Sequence, residues 1–166
     1  IMFQDYDFQG YIDAYSFIEF SSGQTIINIL KTERIMRMVY DRLFEKYNIS
    51  EPKFFVILLL SIHEADGMPL IELGKNMMVS RANMTTLIDR MIKENLVEKR
   101  KNADDKRSIK AHLTPKGRQL FDEIKDLHME FSQRMTKALT EEERATLNNI
   151  LKKLQEDIVQ DFSKTK

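Results

Sequence analysis

Six polar side chains fall within eleven residues: Ser80, Arg81, Asn83, Thr85, Thr86 and Arg90. The apolar residues among them, Met84, Leu87, Ile88 and Met91, recur at helical spacing. The polar set therefore occupies the outer face of an amphipathic helix, with positions 81, 85 and 88/89 about one turn apart. Arginine can bond guanine through two donors, and asparagine can bond adenine in the same paired way. Serine and threonine hydroxyls suit phosphate oxygens, and the threonine methyl suits the methyl of thymine. The helix start adds free N–H groups and a positive dipole end, both favourable to a phosphate. Farther on, Lys106 and Arg107 sit in a polar connection of the kind that can reach a minor groove.

An outer polar face by itself describes any surface helix. The charge distribution makes this one more specific. Arg81 to Arg118 holds eleven Lys/Arg against five Asp/Glu, whereas residues 1–80 hold seven against eleven. The chain as a whole is neutral, so a basic segment lies inside an acidic frame. Such a segment points to double-stranded DNA as partner.

The elements that position these residues can be read in order. Residues 1–23 form an aromatic arm or short helix, with Phe3, Tyr6, Phe8, Tyr11, Tyr15, Phe17 and Phe20. A long helix runs from about Gln24 to Tyr47 and ends at Asn48, which tolerates a left-handed turn. Ser50 caps the next helix, with Pro52 in its first turn. That helix, Phe54 to Ala65, is apolar on nearly every side and belongs at the centre. Met68-Pro69-Leu70 allows no more than one bridge of strand. Ile71 to Met77 forms a short helix with Leu73 and Met77 inward, and Gly74 within it implies a close helix–helix approach. A tight turn at Met78-Val79 leads to Ser80 and a helix from Arg81 to about Glu94, the pattern of a helix-turn-helix. Leu96 to Lys101 and Ser108 to Leu113 read as two strands. In the second, Ile109, Ala111 and Leu113 alternate with Lys110 and His112. Thr114-Pro115 opens a helix reaching about residue 139, and Thr140 with Glu143 makes a capping box for the last one. Residues 163–166 should fray.

Other chemistries are poorly served. Cysteine is absent, which excludes disulfides and thiol switches and fits a cytoplasmic location. His63, His112 and His128 are too scattered for a metal site, and no cofactor is expected. No phosphate-binding glycine loop or nucleophile motif points to an enzyme. The longest apolar run, Phe54 to Leu60, is too short to span a bilayer, and no signal peptide or membrane partner is expected.

Residues 70–117 resemble the DNA-binding core of the MarR family of winged-helix regulators. The likeness is carried by Leu73-Gly74, Ser80, Met84-Thr85 and Ile88-Asp89-Arg90-Met91. It continues through Leu96-Val97-Glu98-Lys99-Arg100, Asp105-Lys106-Arg107-Ser108 and Leu113-Thr114-Pro115-Lys116-Gly117. Asn95 stands where the family more often has glycine, and Gly74 where alanine is commoner. The resemblance implies a mainly α fold, a winged helix-turn-helix with a two-stranded β wing, plus N- and C-terminal helices that form a dimerisation region. It implies that the helix after Ser80 reads DNA and that Arg107 enters the minor groove. Asp105 would orient the tip through Lys99 or Arg100. On this reading residues 24–49 and 115–166 serve homodimerisation and residues 50–114 bind DNA. Two-fold symmetry then implies a pseudo-palindromic operator with half-sites ~34 Å apart. Blocking a promoter is the commoner family outcome, so a repressor is expected. Relatives commonly respond to a small-molecule effector. Ten Met and ten Phe could line such a site, although a Met-rich core explains them as well. The competing function is a winged-helix protein-interaction module without DNA binding. Such a module has no need of Arg81, Arg90, Lys106 and Arg107 together.

Overall fold

The computed structural model describes Gly10, Asp13, residues 20–101 and residues 109–163. The aromatic arm is therefore almost wholly outside the described residues, as are Asp105, Lys106 and Arg107. The elements are α1 (Phe20–Lys46), α2 (Glu51–Ser61), β1 (Met68–Pro69), α3 (Leu70–Asn76), α4 (Arg81–Lys93), β2 (Val97–Lys101), β3 (Ile109–Leu113), α5 (Pro115–Thr136) and α6 (Glu141–Phe162). They form two compact units, Ile1–Ile124 and Lys125–Lys166, with the boundary inside α5.

The first unit is built around α2. Its Phe54, Val56, Ile57 and Leu60 are buried, as the near-continuous apolar run requires. α1 contributes Leu43 and Phe44 to this core, and Phe44 packs on Phe54 with ring centroids 5.0 Å apart. Asn48 ends α1 in the left-handed region at φ 50°, and Ile49 N–H then donates to the Phe44 carbonyl. Ser50 is the N-cap of α2 by backbone conformation only, because its side chain makes no capping hydrogen bond. α2 also stops at Ser61, four residues short of the expected Ala65, and the chain turns before Gly67 at φ 62°.

The sheet has three strands in the order β1-β3-β2, all antiparallel. The wing pair β2–β3 is as expected, and Met68-Pro69 adds a short third strand by pairing Met68 with Ala111. That addition changes the environment of His112. The alternation placed it on the polar side with Lys110, but it is only 8% exposed. The Gly67 backbone lies against its imidazole.

In the second unit α6 begins with the anticipated capping box. Thr140 accepts from Glu143 N–H, and the Glu143 carboxylate accepts from Thr140 N–H. The backbone hydrogen bond from Thr140 holds the Glu143 carboxyl below the usual range. No α6 residue is buried, and Ile150, Val159 and Phe162 are largely exposed. Among the described residues no helix is long and apolar enough to cross a membrane.

Candidate nucleic-acid interface

The helix-turn-helix is α3, a four-residue connection (Met77 to Ser80) and α4. Met77 N–H and Val79 N–H donate to the carbonyls of Leu73 and Gly74. Met78 between them takes a left-handed conformation at φ 53°. Gly74 is buried against this turn. A Cβ there would stand 3.2 Å from the Val79 carbonyl oxygen and 3.8 Å from Met84 Cβ. The close approach inferred from a mid-helix glycine is therefore real, and it sets the turn between the two helices.

α4 starts at Ser80, whose hydroxyl accepts from Asn83 N–H at 3.2 Å. The serine thus has a local structural role in addition to any contact with phosphate. Met84, Ile88 and Met91 are fully buried and fix the inward direction of the helix. Ile88 is therefore core, and position 88 cannot face a groove; Asp89 is the exposed member of that pair. At about 100° per residue, the side opposite the core carries Ala82, Thr86, Asp89 and Lys93. Arg81 and Thr85 lie along one flank, Asn83 and Arg90 along the other. Arg81, Asn83, Thr86 and Arg90 are exposed, whereas Thr85 is half-buried. The two threonine hydroxyls donate to the Arg81 and Ala82 carbonyls, which holds both side chains in defined orientations. Sequence reasoning named residues of both flanks and Thr86, left positions 88 and 89 unresolved, and did not count Ala82 or Lys93 among the DNA-binding residues. Extending the helical count from Met84 and Met91 would have found them.

The stem of the wing is tied to this helix. Lys99 Nζ on β2 lies 2.5 Å from Asp89 Oδ1 on α4, and Arg100 Nε donates to Glu98 Oε1 at 2.9 Å. Both basic residues proposed as partners of Asp105 thus have carboxylates among the described residues. The far end of α4 is held from two other directions. Lys53 Nζ donates to both Glu94 carboxylate oxygens at 2.6 and 2.7 Å. Lys116 Nζ donates to the Glu94 main-chain carbonyl at 2.9 Å. These contacts link residues 41 and 22 positions apart, and no periodicity could have announced them.

The joint after the wing is equally defined. Asn95 leaves α4 at φ 57°. Its carbonyl accepts from Thr114 Oγ1 at 2.6 Å, and Thr114 Oγ1 in turn accepts from Gly117 N–H at 3.0 Å. Thr114 is thus a buried N-cap of α5 that also bonds the end of α4.

His112 is the residue whose protonation the wing resists. Burial lowers its pKa, and the positive charge of Arg100 lowers it further. Among the described residues its Nδ1 is the buried side-chain polar atom without a hydrogen-bond partner. No group of His, Asp and Glu that could hold a metal occurs among the described residues.

Comparison with known proteins agrees with this geometry. The family model described as MarR family matches residues 49–109. An uncharacterized HTH-type transcriptional regulator, YsmB of Bacillus subtilis, is 33% identical over 116 residues, covering 70% of this chain and 78% of that protein. The multiple antibiotic resistance protein MarR of Salmonella typhimurium is 32% identical over 146 residues, covering 81% and 97%. Among solved structures, a mutant MarR from E. coli complexed with operator DNA superposes with a TM-score of 0.66 at 27% identity, over 78% of this chain and 95% of that one.

Proposed function

The chain belongs to the MarR family of transcriptional regulators, which are not enzymes, and from that premise we propose that it is a ligand-responsive repressor. It binds a pseudo-palindromic operator in double-stranded DNA as a homodimer, with one α4 helix in each half-site. The observation that carries this reading is the exposed face of α4. Arg81, Asn83, Thr86 and Arg90 project from a helix whose opposite side is locked in the core. Arginine and asparagine there can read base edges, while Ser80 and the helix start can hold a phosphate. That a mutant MarR from E. coli is complexed with operator DNA supports an operator as the partner. Lys106 and Arg107 act from the wing tip, with Asp105 orienting it.

The homodimer is supported by the second unit. Leu147, Ile150 and Ile158 recur on α6 at helical spacing and remain 42–58% exposed in the single chain. A helix with such a stripe is expected to bury it against another surface. We assign residues 24–49 and 115–166 to dimerisation and residues 50–114 to DNA binding. Response to a ligand is supported by a cleft of about 410 Å³ lined by Tyr47, Lys53, Glu94, Lys116 and Leu120. It opens beside the contacts that hold the end of α4.

Selection of bound sequences from a random duplex pool tests the proposal. An enriched inverted repeat with half-sites about one helical turn apart is the expected result. Recovery of unenriched sequence would overturn it.

A further inference from the structure

Glu94 carries the wrong charge for its position. It is the C-cap of α4, where unpaired carbonyls and the negative end of the helix dipole disfavour a carboxylate. The local cost is offset from a distance. Lys53, near the start of α2, places its ammonium between both Glu94 oxygens, and its side chain is only 17% exposed. Lys116, in the first turn of α5, takes the Glu94 carbonyl. One residue at the end of α4 is thus fixed by its side chain to one helix and by its main chain to another. A sequence that conflicts with local preference yet satisfies a long-range contact marks a place where position matters.

Accuracy of position is what reading bases requires of α4. Arg81 and Thr85 occupy one flank of the helix and Asn83 and Arg90 the other. A rotation about the helix axis brings one flank nearer the groove floor and withdraws the other. Phosphate contacts tolerate such a change, because they need charge and only loose geometry, whereas paired donors to a base edge do not. We propose that Lys53 is a positioning residue for sequence discrimination. It lies off the reading helix and acts through Glu94 to refine, at the far end of α4, the rotation that buried Met84, Ile88 and Met91 set. This inference rests on the assignment of α4 as the DNA-reading helix.

The test compares affinity for the duplex enriched from the random pool with affinity for a scrambled duplex at one salt concentration. Lys53→Met keeps the aliphatic stem and removes the charge. It is expected to lower the ratio of the two affinities about tenfold while leaving the scrambled-duplex affinity within about twofold. Lys53→Arg, which can still bond both Glu94 oxygens, should restore most of the ratio. Glu94→Gln should lose as much as Lys53→Met, and the double variant should lose no more than either. Should Lys53→Met fail to fold, Glu94→Gln and Lys53→Arg carry the same comparison. An unchanged ratio in folded Lys53→Met or Glu94→Gln overturns the positioning role and leaves the DNA-reading assignment intact. A parallel fall on both duplexes also overturns it, since that is the signature of a phosphate contact or a general loss of structure. Absence of discrimination in the unaltered protein overturns both readings together.

Discussion

The carbonyl oxygen of Leu96 faces the α-carbon of Gly117 so closely that a Cβ there would collide with it. This contact packs the first turn of α5 onto the chain between α4 and the wing. Leu96 cannot yield cheaply, because the colliding atom is backbone and its side chain is buried. Thr114 bonds both sides of the same joint. Gly117→Ala should therefore destabilise the protein by roughly 2–3 kcal/mol or prevent folding. Chemical denaturation of the variant and the parent checks this, and an unchanged midpoint would show that the joint can open.

A second prediction concerns the two flanks of α4. Arg81→Ala or Asn83→Ala should cost about 1–3 kcal/mol on the preferred duplex if the residue reads a base. The two should relax preference at different base positions, because they lie on opposite flanks. Equal losses on specific and random duplexes would assign either residue to phosphate contact.

The wing tip makes a different demand. Arg107→Ala should weaken binding and reduce the dependence of log affinity on log salt by about 0.9 per lost contact. Binding isotherms at several salt concentrations measure both effects. An unchanged affinity and slope would remove Arg107 from the interface.

Protonation supplies a fourth prediction. The folded-state pKa of His112 is lowered from 6.5 by burial and by Arg100. The unfolded chain therefore binds the proton more readily. Stability from this residue is fully present above about pH 6.5 and declines as pH falls below it toward the lowered value. Stability measured from pH 7.5 down to 5 should decrease more steeply in the parent than in His112→Phe. Parallel curves would show that His112 does not contribute.

Much of this arrangement was legible because it follows from local rules. Asn48 and Asn95 both adopt the left-handed conformation that ends a helix, and Gly74 permits the close turn inferred from it. The Thr140 capping box and the inner stripe of α4 follow from residue types at fixed spacing. The misreadings came from contacts between distant residues. His112 is covered because the Gly67 backbone, where the chain enters β1 beside β3, lies against its imidazole, which alternation within one strand cannot register. Ile88 is buried as its place in the inner stripe required, so of the 88/89 pair only Asp89 is exposed. The hold of Lys53 on Glu94 spans 41 residues and has no pattern in the sequence. Asp105, Lys106 and Arg107 lie outside the described residues, so their roles rest on the family likeness and on charge.

The most direct measurement is the affinity of the unaltered protein for its enriched duplex divided by its affinity for a scrambled duplex, at fixed near-physiological salt. A reader of base edges should show a ratio of about a thousand or more. A ratio near one, with steep salt dependence on both duplexes, would contradict sequence recognition by α4 and leave only attraction between a basic segment and phosphate.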